Sequence, residues 1–289
     1  MADTNRTDQV TGYQTTGHEW DGIEELNRPL PKWWLYTFYA CVLWSLVYFV
    51  LYPSWPLVSG YTQGVLGYSQ RETVAAQLEA AQEAQKQWRD QIAAKDLSAI
   101  KADPDLFQFA VAGGAAAFGD NCAPCHGTGA QGFVGYPNLN DDVWLWGGSL
   151  EAIHTTLLYG IRAQNDDTRL NDMLAFGRDQ ILTRDQVKDV TEYVRALSNQ
   201  DHDAAAAERG ATVFADNCVA CHNEGGIGSQ ELGAPNLTDA IWLYGGSREA
   251  IYESVYNGRM GVMPAWEDRL DAVTIKQLTV FVHSLGGGE

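Results

Sequence analysis

The sequence predicts an all-α protein: one N-terminal transmembrane helix, a spacer helix and two tandem helical domains. Three observations predict it. Residues 33–52 form an uncharged run of twenty largely apolar residues. A five-residue pattern, Cys-x-x-Cys-His, occurs at 122–126 and again at 218–222. Around both copies the chain repeats itself, with apolar residues every three or four positions near the end of each copy.

Residues 1–32 are polar, with Gly12, Gly17 and Gly22 and no apolar periodicity, which predicts a mostly irregular tail. The run 33–52 would reach about 30 Å as a helix, the thickness of a bilayer core, and the span is placed at 33–55. A cleaved signal peptide needs a shorter apolar core and a small-residue cleavage site, whereas Tyr52-Pro53-Ser54-Trp55-Pro56 follows here. Trp33 and Trp34 at one end, and Tyr52, Trp55 and Tyr61 at the other, stand where interfacial aromatics belong. Arg28 and Lys32 flank the N-terminal end and the next cation is Arg71, so the positive-inside rule puts the tail in the cytoplasm and the rest outside. Cys41 reads as a small hydrophobe within the span.

Residues 56–103 form the spacer. Within it, 69–100 is rich in Ala, Gln, Glu and Lys, with Val74, Leu78, Ala81, Trp88 and Ile92 at helical spacing. The apolar stripe is thin: it suits packing on a following domain or another subunit, and equally a partly solvated spacer. Asp103-Pro104 marks the boundary with the repeats, which occupy 104–200 and 201–289.

The repeats align in several places. Gly114 and the residues up to Cys122 match Gly210 up to Cys218, and Pro137-Asn138-Leu139 matches Pro235-Asn236-Leu237. Trp144-Leu145-Trp146-Gly147-Gly148-Ser149 matches Trp242-Leu243-Tyr244-Gly245-Gly246-Ser247, while Tyr159 and Arg162 fall opposite Tyr256 and Arg259. Ser149 and Ser247 can cap the helices that follow. A last helix buries Val187, Val190, Val194 and Leu197 in one repeat, and Ile275, Leu278, Val282 and Leu285 in the other. Each repeat is expected to be a self-contained domain of about 90 residues, small enough to need a large apolar ligand to complete its core.

Cys-x-x-Cys-His is the attachment pattern of c-type haem. Cys122 and Cys125, and likewise Cys218 and Cys221, can form thioethers to the two vinyl groups, with His126 and His222 then facing the iron. The pairs lie 96 residues apart, too far for a compact zinc module, and no βαβ pattern supports a thioredoxin-like site. Two covalently bound haem c groups are expected. The other axial ligand should lie downstream: Met263, stiffened by Pro264, is preferred to Met260 for His222, and Met173 is the candidate for His126 with His154 as its rival. Eight extra residues lengthen the first loop, since Ser149 to Met173 is 24 residues and Ser247 to Met263 is 16. His18, His202 and His283 read as surface or packing residues. Methionine opposite histidine raises the potential and closes the iron, which suits electron transfer rather than oxygen or peroxide chemistry. Arg162 and Arg259 sit where a guanidinium could pair with a haem propionate, and the Pro137 and Pro235 carbonyls where they could accept from the proximal imidazoles.

The net charge is −18, and residues 104–200 carry 12 acids and 6 bases against 13 and 5 in 201–289. That excludes nucleic acid as a natural partner. It would steer a basic protein towards these domains at a salt-dependent rate, and it serves solubility equally well.

Each repeat resembles class I cytochrome c, through Cys-x-x-Cys-His, Pro-Asn-Leu and the downstream methionine. The whole chain resembles the dihaem subunit III (CcoP/FixP) family of cbb3-type cytochrome c oxidases. The resemblance rests on Arg28-Pro29-Leu30-Pro31-Lys32-Trp33-Trp34 before a single span, the Ala/Gln-rich spacer, and paired domains with Trp-x-x-Gly-Gly-Ser and Met-Pro-Ala-Trp. Leu174 stands where the second repeat has Pro264. The resemblance implies an electron-transfer subunit without catalytic residues of its own, in the bacterial inner membrane with its haem domains in the periplasm. Electrons from a donor cytochrome c or the bc1 complex would pass to the monohaem subunit and the haem-copper catalytic subunit, which reduces oxygen and pumps protons. A free-standing dihaem shuttle and a dihaem peroxidase are the rival readings.

Overall fold

A computed structural model describes residues 6–286, which fall into two compact units divided between Glu83 and Ala84.

The first unit begins with an antiparallel hairpin, β1 (Thr15–Trp20) and β2 (Ile23–Leu26), where an irregular tail was expected. The cause is local. Asp21-Gly22 joins the strands with both residues at positive φ, 48° and 83°, which matches the right-handed twist of a two-residue hairpin. Helix α1 (Lys32–Leu51) follows, uncharged after Lys32 and with no buried residue, as suits a lipid-facing helix. Cys41 is exposed on it. A minimal hairpin, β3 (Pro56–Leu57) with β4 (Gly60–Tyr61), leads to helix α2 (Gln70–Ala94), whose Val74 and Leu78 are exposed.

Among the described residues, the regular structure of the second unit is helical apart from isolated bridges, with long loops between the helices. The end of α2 is anchored there: Ile92 is fully buried and Trp88 stacks on Phe109 at 5.9 Å. The expected continuous spacer helix breaks after Ala94, because the Asp96 carboxylate caps a new short helix, α3 (Leu97–Ala102), by accepting from the Ala99 N–H at 2.7 Å. Asp103 then caps α4 (Pro104–Asn121), with Pro104 in its first turn. The remaining helices are α5 (Ala123–His126), α6 (Leu150–Tyr159), α7 (Arg184–Leu197), α8 (Ala204–Asn217), α9 (Val219–His222), α10 (Arg248–Asn257) and α11 (Ala272–Ser284). Ser149 and Ser247 cap α6 and α10 by accepting from the Ala152 and Ala250 N–H groups.

The repeats do not close on themselves, as expected above, but exchange their last helices. Helix α4 packs on α11, and α8 on α7. One core therefore joins Phe118, Cys122, Ile153 and Leu157 to Ile275, Leu278 and Val282, and the other joins Val187, Val190 and Val194 to Val213, Phe214, Cys218, Ile251 and Val255. Helices of each pair cross at a glycine. A Cβ on Gly114 would meet the Cβ of Phe281 at 2.5 Å, and one on Gly210 would meet the Asp189 carbonyl carbon at the same distance. The physical reason for the exchange lies in the linker. Only residues 198–203 separate α7 from α8, so α7 folds back on its immediate successor, and homologous repeats offer interchangeable partners. In space, the unit built on 218–222 uses the continuous stretch from Met173 to Gly258, inserted between the two pieces of the unit built on 122–126.

Candidate functional site

The two Cys-x-x-Cys-His motifs have the same local build. In each, the first cysteine ends the preceding long helix, and a single turn, α5 or α9, carries the second cysteine and the histidine. His126 Nδ1 donates to the Pro137 carbonyl at 3.1 Å and His222 Nδ1 to that of Pro235 at 3.0 Å. A carbonyl can only accept, so Nδ1 carries the hydrogen and Nε2 keeps its lone pair for a metal. Burial holds both imidazoles below their usual pKa, with the carbonyl partner working against it, so the neutral ligating form prevails. Burial, and secondarily the neighbouring thiol, pushes Cys122 and Cys218 up to about 11.

A cavity of about 490 Å³ opens beside the second motif. Cys218, Cys221, His222 and Met173 all line it, with Phe176, Val190, Val194 and Val255 among its apolar walls. Apolar walls with a histidine, two cysteines and a thioether suit a covalently held haem, for which His222 and Met173 would supply the axial atoms. Met263 is elsewhere: like Trp144 and Leu158, it packs against the core that contains Cys122 and Leu157. The pairing expected from sequence order is thus reversed. Met173 goes with His222 and Met263 goes with the 122–126 motif, because the methionine loops travel with the exchanged helices. His154 packs outside both sets, beside Lys276 and Glu151.

The backbone enforces the reversal. Ile161 forms an antiparallel bridge with Met263, and Met173 one with Arg259. Just before each bridge stands a glycine at φ 71°, Gly160 or Gly258, where a Cβ would crowd the backbone of Ala265 at 2.7 Å or of Ala175 at 2.9 Å. This corrects the repeat alignment by one position: Gly160 matches Gly258, so Leu158 matches Tyr256 and Ile161 matches Arg259.

The paired arginines also change. Arg259 donates from Nε to Ser254 Oγ at 3.0 Å, with its guanidinium 4.1 Å from the Tyr244 ring centre. Its counterpart is Arg169, which donates to Thr156 Oγ1 at 2.9 Å and lies 5.2 Å from the Trp146 ring centre. Arg169 was missed because it sits in the longer loop, out of register; the matched hydroxyls Thr156 and Ser254 were the available signal. Trp146 and Tyr244 also reach across the seam, since a Cβ on Gly233 would collide with Trp146 and one on Gly135 would touch Tyr244 at 3.3 Å. Gly135 N–H donates to the Leu243 carbonyl at 2.7 Å, closing the seam.

Three family models match the chain: the N-terminal domain of cytochrome oxidase-cbb3, FixP, over residues 12–59; cytochrome c over 111–198; and cytochrome c oxidase, cbb3-type, subunit III, over 205–282. The cytochrome models follow sequence order, whereas the cores mix the repeats. Among curated proteins, the chain is 55% identical to the cbb3-type cytochrome c oxidase subunit CcoP of Cereibacter sphaeroides, with 95% of each chain covered. It is 53% identical to that of Azospirillum brasilense over 98% of each, and 50% identical to subunit FixP of Bradyrhizobium diazoefficiens over the full length of both. An N-terminal apolar helix, two cytochrome c repeats and this full-length identity together establish that the chain belongs to the CcoP/FixP family of cbb3-type cytochrome c oxidase subunits.

Proposed function

We propose that the chain holds two haem c groups, one on Cys122 and Cys125 with His126 and Met263 as axial ligands, the other on Cys218 and Cys221 with His222 and Met173. It takes electrons from a donor cytochrome c or the bc1 complex and passes them, with the monohaem subunit, into the haem-copper subunit of a cbb3-type oxidase, which reduces oxygen and pumps protons. The N-terminal tail is cytoplasmic, α1 crosses the inner membrane, and the haem units stand in the periplasm. The observation that carries the reading is the cavity at 218–222, where a histidine with its Nδ1 engaged and a methionine from the other repeat line one apolar space.

The chain's own residues bind, orient and insulate the groups. The proline carbonyls fix the imidazole rings and raise their basicity. Phe176, Val190, Val194 and Phe214 line the cavity and would exclude water from a haem held there, which would favour its less charged, reduced state. When bound, haem c supplies a one-electron couple. With both a histidine and a methionine available to hold it, the group would keep no open position, which supports electron carriage over peroxidase chemistry. The −18 charge supports a basic donor, steered at low salt.

The test is purification of the full-length chain in mild detergent from its own membranes. Co-elution with subunits carrying haem b and copper, at two covalent haems per chain, is expected. Elution of the chain alone would instead identify a free-standing shuttle.

A further inference from the structure

Arg162 stands where the chain leaves one haem unit for the other, two residues after Gly160. Its backbone is left-handed, φ 52°, a conformation a non-glycine residue keeps only when its surroundings hold it. Its Nε donates to the Gly261 carbonyl at 2.6 Å, and a terminal nitrogen donates to the Asn171 carbonyl. Gly261 stands two residues before Met263, and Asn171 two residues before Met173. One guanidinium therefore ties the same position in both methionine loops. Arg169 and Arg259 differ in this respect, since each bonds to a helix of a single unit.

We propose that Arg162 is a positioning residue that couples the two haem sites, holding the Asn171 and Gly261 carbonyls at once so that the Met173 and Met263 loops stay closed together. The inference rests on the reading of these methionines as axial ligands. A guanidinium presents its donors in a rigid planar fork, so its orientation is fixed only while both carbonyls are engaged. Release of one loop leaves the fork free to turn, which weakens its hold on the other loop. Such a coupling acts equally in both directions.

The experiment uses the full-length chain within its detergent-solubilised complex, unaltered and as Arg162→Ala, Arg162→Lys and Arg259→Ala. The readouts are the methionine-to-ferric-iron charge-transfer band and the midpoint potential of each haem, with covalent haem content as the folding control. Arg162→Ala is expected to raise the methionine-free ferric fraction at both haems by on the order of tenfold, the loss of one charge-assisted bond per loop, and to lower both potentials. Arg162→Lys keeps the charge without the fork and falls between; if the alanine variant does not accumulate, the lysine variant shows the same sign at both haems. Arg259→Ala, which leaves the Arg162 bonds to both loops in place, changes the haem at 218–222 more than the other. A response at one haem alone, or at neither, in whichever Arg162 variant retains its haem overturns the coupling. Absence of the band from the unaltered chain overturns the ligand reading first, and the coupling with it.

Discussion

At Gly210 there is no room for a side chain. A Cβ would lie 3.0 Å from that of Tyr193 and nearer still to the Asp189 carbonyl, both on α7, so the α7–α8 crossing depends on backbone meeting backbone. Gly210→Ala should cost about 1–3 kcal/mol, the range for overpacking, and should lower the melting temperature followed through haem absorbance; an unchanged transition would show that the helices do not meet there. The sequence made Gly114 and Gly210 visible as matching positions. It did not show which helix each one meets, because a glycine records the need for close approach and not the identity of what approaches. The setting of His126 and His222 was legible: each ring meets the carbonyl of the proline expected for it, Pro137 or Pro235. Arg169 was not, because its partner hydroxyl lies 13 residues back and on another segment.

Besides its apolar face, helix α7 is tied to α8 and α10 through Glu192. Glu192 accepts from the Arg248 guanidinium on α10 and from the Asp203 N–H at 2.8 Å, at the start of α8, and its side chain is 9% exposed. The Arg248 bond above all holds Glu192 below its usual pKa of 4.5, against the effect of burial. A depressed carboxylate stabilises the fold fully above that usual value and loses the contribution as pH falls through the folded value. Glu192→Gln should therefore cost about 1–3 kcal/mol near neutrality, and the gap between variant and unaltered chain should narrow in melts below pH 4.5. A gap that stays constant with pH would remove the ion pair from the account. The helices themselves were legible from capping residues and apolar spacing: Val187, Val190 and Val194 are buried as their intervals demanded. The break at Asp96 and the hairpin at Asp21-Gly22 were written just as locally, in a capping acid and a turn dipeptide, but long Ala/Gln-rich periodicity and a polar tail concealed them.

For the molecule as a whole, two homologous repeats can close on themselves or on each other with nearly the same contacts, so composition and periodicity cannot separate the two arrangements. What separates them is chain length between helices: six residues from α7 to α8 favour the neighbour, and the long 160–173 loop can reach across. The reversal gives the protein one interlocked haem-bearing body instead of two beads, with each methionine loop bridged to the other repeat and Arg162 at the crossing. The most direct measurement of this account begins with a chain whose Cys218 and Cys221 are replaced by serine, leaving a single covalent haem at 122–126. Met263→Ala in that background should turn the remaining haem high-spin, while Met173→Ala should leave it low-spin; the opposite result would contradict the exchange.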